Sequence, residues 1–107
     1  MATMLAISRF RVPEHDAVSF QKRASEAVAY FAGREGCLSA ELLRNLDEPE
    51  LWTVASRWVN TGSYRRAFNG YEAKVVLVPL LSEAIDEPSA YAAPEEVGEN
   101  RPRGTLT

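Results

Sequence analysis

The sequence predicts an α+β fold: one antiparallel sheet with its helices on one face, in the ferredoxin-like split βαβ order. Three observations predict it. Stretches of alternating apolar and polar residues and stretches of helical apolar spacing succeed one another as β-α-β-β-α-(α)-β. Pro13, Gly33, Gly36, Asp47-Glu48-Pro49 and Asp86-Glu87-Pro88 punctuate those stretches as turns. The length, 107 residues, allows one domain around one core.

Met4 to Val12 reads as extended, with Leu5 and Ile7 on one side and Ala6, Ser8 and Phe10 on the other. Pro13 ends it. Asp16 is the expected cap of the first helix, its carboxylate accepting a first-turn N–H. Ala17, Phe20, Ala24, Ala27, Val28 and Phe31 then recur at helical spacing. The second strand, Cys37 to Leu46, sets Leu38, Ala40 and Leu42 against Ser39 and Glu41. Past the turn, the third strand runs from Glu50 to Val59 and carries both tryptophans. Trp52 and Trp58 are six positions apart, so a period of two puts them on the same side. Asn60 or Thr61 caps a second helix whose apolar positions are Tyr64, Ala67, Phe68 and Tyr71. Asn69-Gly70 breaks or bends it, and Val75, Val76 and Val78 continue the helical stretch towards Pro79. Ser89 to Val97 reads as a last strand, with Pro94 at its edge or end. Residues 1–97 are the expected domain. The polar, Pro/Gly-rich stretch 98–107 (GENRPRGTLT) is an expected loose tail.

Several function classes are excluded at this level. The net charge is −3 and acids and bases are mixed, so no basic stripe offers itself to nucleic acid. No apolar run reaches membrane-spanning length, and the N-terminus has no secretory pattern, so a cytoplasmic protein is expected. The single cysteine, Cys37, has no partner for a disulfide or metal site and reads as a small core residue. His15, between Glu14 and Asp16, reads as a solvated helix start. The carboxylates at 47, 48 and 50 belong to turn chemistry, and no nucleophile elbow or phosphate loop is present.

The strands are apolar on both sides. Leu5 and Ile7 oppose Ala6 and Phe10, while Leu51 and Ala55 oppose Trp52 and Val54. Helices cover one face only. At roughly 25 cal/mol per Å2, a second apolar face of several hundred Å2 is a strong drive to associate. A two-fold homodimer packed sheet to sheet is the expected solution.

The stretch GCLSAELLRNLDEPELWTVASRWVNTGSYRRAF resembles the antibiotic biosynthesis monooxygenase (ABM) domains of the dimeric α+β barrel superfamily. The shared features are the glycine before the second strand, Leu42-Leu43-Arg44, the hairpin turn, the strand ending in Arg57-Trp58, and the capped helix with Tyr64 and Phe68. The resemblance covers residues 4 to about 97 and implies a sheet-to-sheet homodimer forming the barrel. It also implies one of several activities, because such folds carry many. In one branch an aromatic polyketide or quinol is oxidised by O2 with no cofactor. That branch uses a Trp and a Tyr matching Trp58 and Tyr64. It also uses an Asn where Val54 stands and an Arg with no counterpart here. In the haem-degrading branch the Asn, Trp and His places are held by Ser8, Phe68 and Leu77, which argues against it.

Cofactor-free oxygenation requires an electron-rich ring held in a dry slot, with hydrogen bonds to the developing oxygen charges. The resemblance implies Trp58 and Tyr64 as the catalytic residues. Ser8, Phe10, Trp52, Ser56, Phe68 and Tyr71 are the expected substrate-binding residues, with Arg9 or Arg57 as polarising groups, and no metal or cofactor. Each has a plainer reading. The tryptophans suit a core or interface, Tyr64 and Phe68 suit helix packing, and the arginines suit a rim. The alternative to a monooxygenase is a non-catalytic small-molecule-binding or stress-response dimer of the same fold.

Overall fold

A computed structural model describes residues 3–97. The expected tail, 98–107, lies outside the described residues. Strand β1 (Met4–Arg11) is central. It pairs antiparallel along its whole length with β3 (Leu51–Trp58), from Met4 opposite Trp58 to Arg11 opposite Leu51. β2 (Cys37–Arg44) lies outside β3, and the three-residue β4 (Ala90–Ala92) lies on the other edge of β1. The sheet order β2-β3-β1-β4 is that of the split βαβ arrangement.

Alternation decides what each strand buries. Met4, Ala6 and Phe10 of β1 and Trp52, Val54, Ser56 and Trp58 of β3 face the helices and are buried. α1 (Ala17–Ala32) lays Phe20, Ala24, Ala27, Tyr30 and Phe31 on that face. Tyr30, absent from the expected stripe, is buried because its hydroxyl donates to the Ala67 carbonyl at 2.9 Å. α2 (Thr61–Arg66) starts at Asn60, whose Oδ1 accepts from the Ser63 N–H at 2.8 Å. α3 (Tyr71–Val76) and α4 (Val78–Leu81) follow.

Five expectations need correction. Asp16 precedes α1, but its side chain makes no capping bond; a 3-10 turn, Glu14–Asp16, precedes the helix instead. Leu38 does not join Ala40 and Leu42. A bulge sets Cys37 opposite Trp58 and Ser39 opposite Arg57, so Leu38 is extruded and exposed while Cys37 packs at the core margin. Tyr71 opens a new helix rather than closing α2 and stands 82% exposed. The next core positions are Ala73, Leu77 and Leu80, and Val75 and Val78 face outwards. The break at Gly70 restarts the helical phase, so a wheel drawn through it assigns the wrong face. Finally, β4 stops at Ala92, and Pro94 opens a short helix, α5 (Pro94–Val97), as the first-turn preference of proline allows.

Gly36 ties the start of β2 to α2. Its φ of +89° is a left-handed conformation, and a Cβ there would collide with the Ser63 side chain. Its carbonyl accepts from Val59 N–H at 2.9 Å.

On the far side of the sheet Leu5, Ile7, Leu51 and Ala55 are half-buried, and Leu43 and Tyr91 are exposed. Register puts Arg9, Arg11, Arg57 and Glu41 on that same face. The face is therefore apolar with charges set into it. No helix among the described residues is long and apolar enough to cross a membrane.

Candidate functional site

A cleft of about 460 Å3 opens where β1 meets α2. Ile7 and Ser8 form its floor and Tyr64 and Phe68 one wall. Leu81 and Ser82, at the end of α4, and the segment 84–89 form the opposite wall. That segment runs along the part of the β1 edge that β4 is too short to reach. Ile85 N–H donates to the Arg9 carbonyl at 2.8 Å, and Ile7 N–H donates to the Ser89 carbonyl at 2.7 Å. Between these two anchors the chain bows outwards and presents Asp86 and Glu87 to the cleft. Glu87 is held by Arg9 in a two-pronged pair, Nε to Oε2 at 2.7 Å and Nη2 to Oε1 at 2.8 Å.

The Tyr64 wall is backed by packed rings. Tyr64 meets Phe68 edge to face with centroids 5.1 Å apart, and meets Trp58 at 5.7 Å. Phe31 sits behind them, 5.5 Å from Trp58 and 6.0 Å from Phe68. Each such pair adds about 0.5–1.5 kcal/mol beyond burial. Together they fix the Tyr64 ring. Burial pushes the Tyr64 hydroxyl above the usual phenol range, and the neighbouring Ser89 side chain opposes that shift. Tyr64 is thus protonated at neutral pH and available as a hydrogen-bond donor. Glu87 behaves oppositely. Its hydrogen bonds from Arg9 hold it below the usual carboxylate range. It is a weak base.

The expected site residues divide. Ser8, Tyr64 and Phe68 line the cleft. Trp58 does not; it is 0% exposed, and its indole N–H donates to Ser56 Oγ at 2.8 Å. Ser56, 2% exposed, is committed to that bond. Both belong to the layer behind Tyr64. Phe10 and Trp52 are buried at the other end of the sheet around Phe20, with centroids 5.1 and 5.4 Å from it. Phe10 borders a separate hollow of about 260 Å3. Tyr71 points into solvent. Of the two expected polarising groups, Arg9 is occupied by Glu87 and Arg57 is exposed on the far face, 3.1 Å from Thr3 Oγ1. Sequence reasoning missed Ser82, Asp86, Glu87 and Ser89. Asp86-Glu87-Pro88 carried a turn signal, but only the pairing of β4 with β1 shows that this turn falls beside Ser8.

Among the described residues no group of three His, Cys, Asp or Glu side chains is placed to hold a metal. What the cleft offers is one phenol donor, three serine hydroxyls and an aromatic and aliphatic wall, open to solvent on the acidic side.

Comparison with known proteins bears on this arrangement. No curated protein matches the chain. Solved structures match its fold. A conserved protein from Methanosarcina mazei Go1 superposes with a TM-score of 0.71 at 21% identity, over 87% of this chain and 92% of that one. SnoaB from Streptomyces nogalater, a cofactor-independent oxygenase solved as a point mutant, gives a TM-score of 0.66 at 20% identity, over 85% and 88%. Rv0793 from Mycobacterium tuberculosis gives 0.66 at 12% identity, over 85% and 92%. The sequence profile described as antibiotic biosynthesis monooxygenase matches residues 3–75, which include β1, α1, the hairpin and the Tyr64 wall. The chain belongs to the antibiotic biosynthesis monooxygenase family.

Proposed function

We propose that this protein is a cofactor-independent monooxygenase, acting in the cytoplasm on a small aromatic or quinol substrate with O2. The observation that carries this reading is the protonated Tyr64 hydroxyl, set in a rigid ring stack and turned to a cleft with Ser8 and Ser89. Family membership and the likeness to a cofactor-independent oxygenase support it.

In the proposed reaction an activated ring CH2 loses a proton to the solvent-open mouth. The anion passes one electron to O2, and the two radicals combine at carbon. The resulting peroxide takes up a proton. The O–O bond then breaks as the carbon loses its second hydrogen as a proton, leaving C=O, and the departing hydroxide takes up that proton. One CH2 and one O2 become one C=O and one water. Tyr64 donates to the ring oxygen, where negative charge accumulates, and Ser8 and Ser89 hydrogen-bond the peroxide. Trp58 acts as a positioning residue through its contact with the Tyr64 ring. Incubation of the purified protein with a panel of anthrones and naphthols under 18O2 tests this. Ketone or quinone product carrying one labelled oxygen is expected. No product above the protein-free blank would refute the reading.

The reading includes a homodimer. The half-buried Leu5, Ile7, Leu51 and Ala55 and the exposed Leu43 support sheet-to-sheet packing, with Glu41 and Arg57 on that face as the charges to pair across it. Sedimentation equilibrium at micromolar concentration should give twice the chain mass; a monomer would refute it.

The second reading, a non-catalytic small-molecule-binding dimer, is favoured by one observation. Trp58 and Ser56 satisfy each other in the core and offer nothing to a ligand. Ligand binding in the cleft without turnover of any of the panel would select it.

A further inference from the structure

We propose that the cleft selects uncharged, hydroxyl-bearing rings and rejects ring carboxylates, with Asp86 as the specificity-determining residue. This rests on the reading of the cleft as the substrate site, not on turnover occurring there.

Among the described residues no cation lines the cleft. The two charged groups that do are the carboxylates of Asp86 and Glu87. Arg9, the nearest guanidinium by sequence register, spends two N–H groups on Glu87 and does not border the cleft. The pair nearly cancels, so the uncompensated charge is that of Asp86, which makes no ion pair among the described residues. A ligand carboxylate entering here gives up water, meets no guanidinium or ammonium of the described residues, and sits beside a like charge. A ligand hydroxyl meets the opposite situation. Tyr64 offers a donor, and Ser8, Ser82 and Ser89 offer hydroxyls that donate or accept, so both halves of an O–H are matched. The aliphatic and aromatic wall takes the ring in either case. The discrimination is therefore electrostatic and local, and one exposed side chain on a loop controls it without touching the fold.

Equilibrium dialysis of the full chain with 1-naphthol and 1-naphthoate at neutral pH tests the proposal, with Asp86→Lys as the reversing variant and Asp86→Asn as the milder one. Ser82→Trp, which plugs the mouth, confirms where binding occurs. Wild type is expected to bind 1-naphthol at least about tenfold more tightly than 1-naphthoate. Asp86→Lys should raise naphthoate affinity about tenfold, and Asp86→Asn about threefold, with naphthol changed less than about twofold, on the scale of one like-charge interaction near a surface. Ser82→Trp should abolish binding of both. Equal wild-type affinities, a naphthoate affinity indifferent to Asp86→Lys, or no naphthol binding at all would each overturn the proposal. Selective binding with no oxidation of the panel would instead refute only the oxygenase reading.

Discussion

The two ends of β3 carry the same residue on the same face, yet the two tryptophans live differently. At the C-terminal end Trp58 is fully buried, its N–H donates to Ser56, and its ring abuts Tyr64, which borders the cleft. At the N-terminal end Trp52 is 4% exposed, its N–H has no partner among the described residues, and Arg44 covers its ring at 4.5 Å. Phe20 and Phe10 complete a plain aromatic core there. Neither indole reaches a ligand. The difference is in what stands between each indole and solvent: a phenol with a donor to offer at one end, an arginine lid at the other. The proposed function attaches to the end whose outermost ring is polar at its tip.

The largest effects should come from truncation. Trp58→Ala and Trp52→Ala should each cost about 3–5 kcal/mol in urea denaturation, as large-to-small core changes do. Only Trp58→Ala should also disturb ligand binding in the cleft, because only it removes the support of Tyr64. A sharper test replaces each indole by Phe. Trp58→Phe leaves Ser56 buried without its donor, whereas Trp52→Phe deletes a group already unpaired. The first should cost about 1–3 kcal/mol more than the second. Equal costs would break the distinction between the two ends.

The glycines beside the two ends of α2 sharpen the same contrast. Gly36→Ala meets both a left-handed backbone and the Ser63 side chain and should lose about 2–3 kcal/mol. Gly70→Ala, with φ +95° but no atom within 4 Å of the new methyl, should lose about 1 kcal/mol. Matched thermal melts check the order.

The smallest effect concerns the cleft loop. Glu87 has a folded-state pKa lowered by Arg9, so the pair stabilises the folded chain above the ordinary carboxylate range. That contribution should fade as pH falls through the lowered folded-state value. Glu87→Gln should thus be slightly less stable than wild type at neutral pH, and the two should converge in acid. A gap that widens on acidification would contradict the pairing.

How much of this was legible in the sequence follows from what each feature depends on. The element order and the shared face of Trp52 and Trp58 depend on local period, and both were readable. Asn60 was readable for the same reason, as a cap acts within one turn. Leu38 was not, because a bulge is a property of two strands together and its signal is absent from either alone. Tyr71 failed because the helical phase restarts at Gly70. The cleft was half readable. Ser8, Tyr64 and Phe68 lie on regular elements with known faces, but Asp86 and Ser89 reach it through a strand of three residues, too short to show a period. Trp58 is a catalytic candidate only through the family resemblance, with core packing as its plainer reading, and its bond to Ser56 is a fact of three dimensions.

The most direct measurement is the steady-state oxidation of anthrone by Tyr64→Phe against wild type, with anthrone binding measured on the same samples. If the Tyr64 hydroxyl stabilises developing charge on a bound ring, turnover should drop about tenfold or more while binding weakens by less, the signature of a donor used mainly in the transition state. Unchanged turnover in Tyr64→Phe, in a protein that otherwise oxidises anthrone, would contradict the assignment of the cleft as the site of reaction.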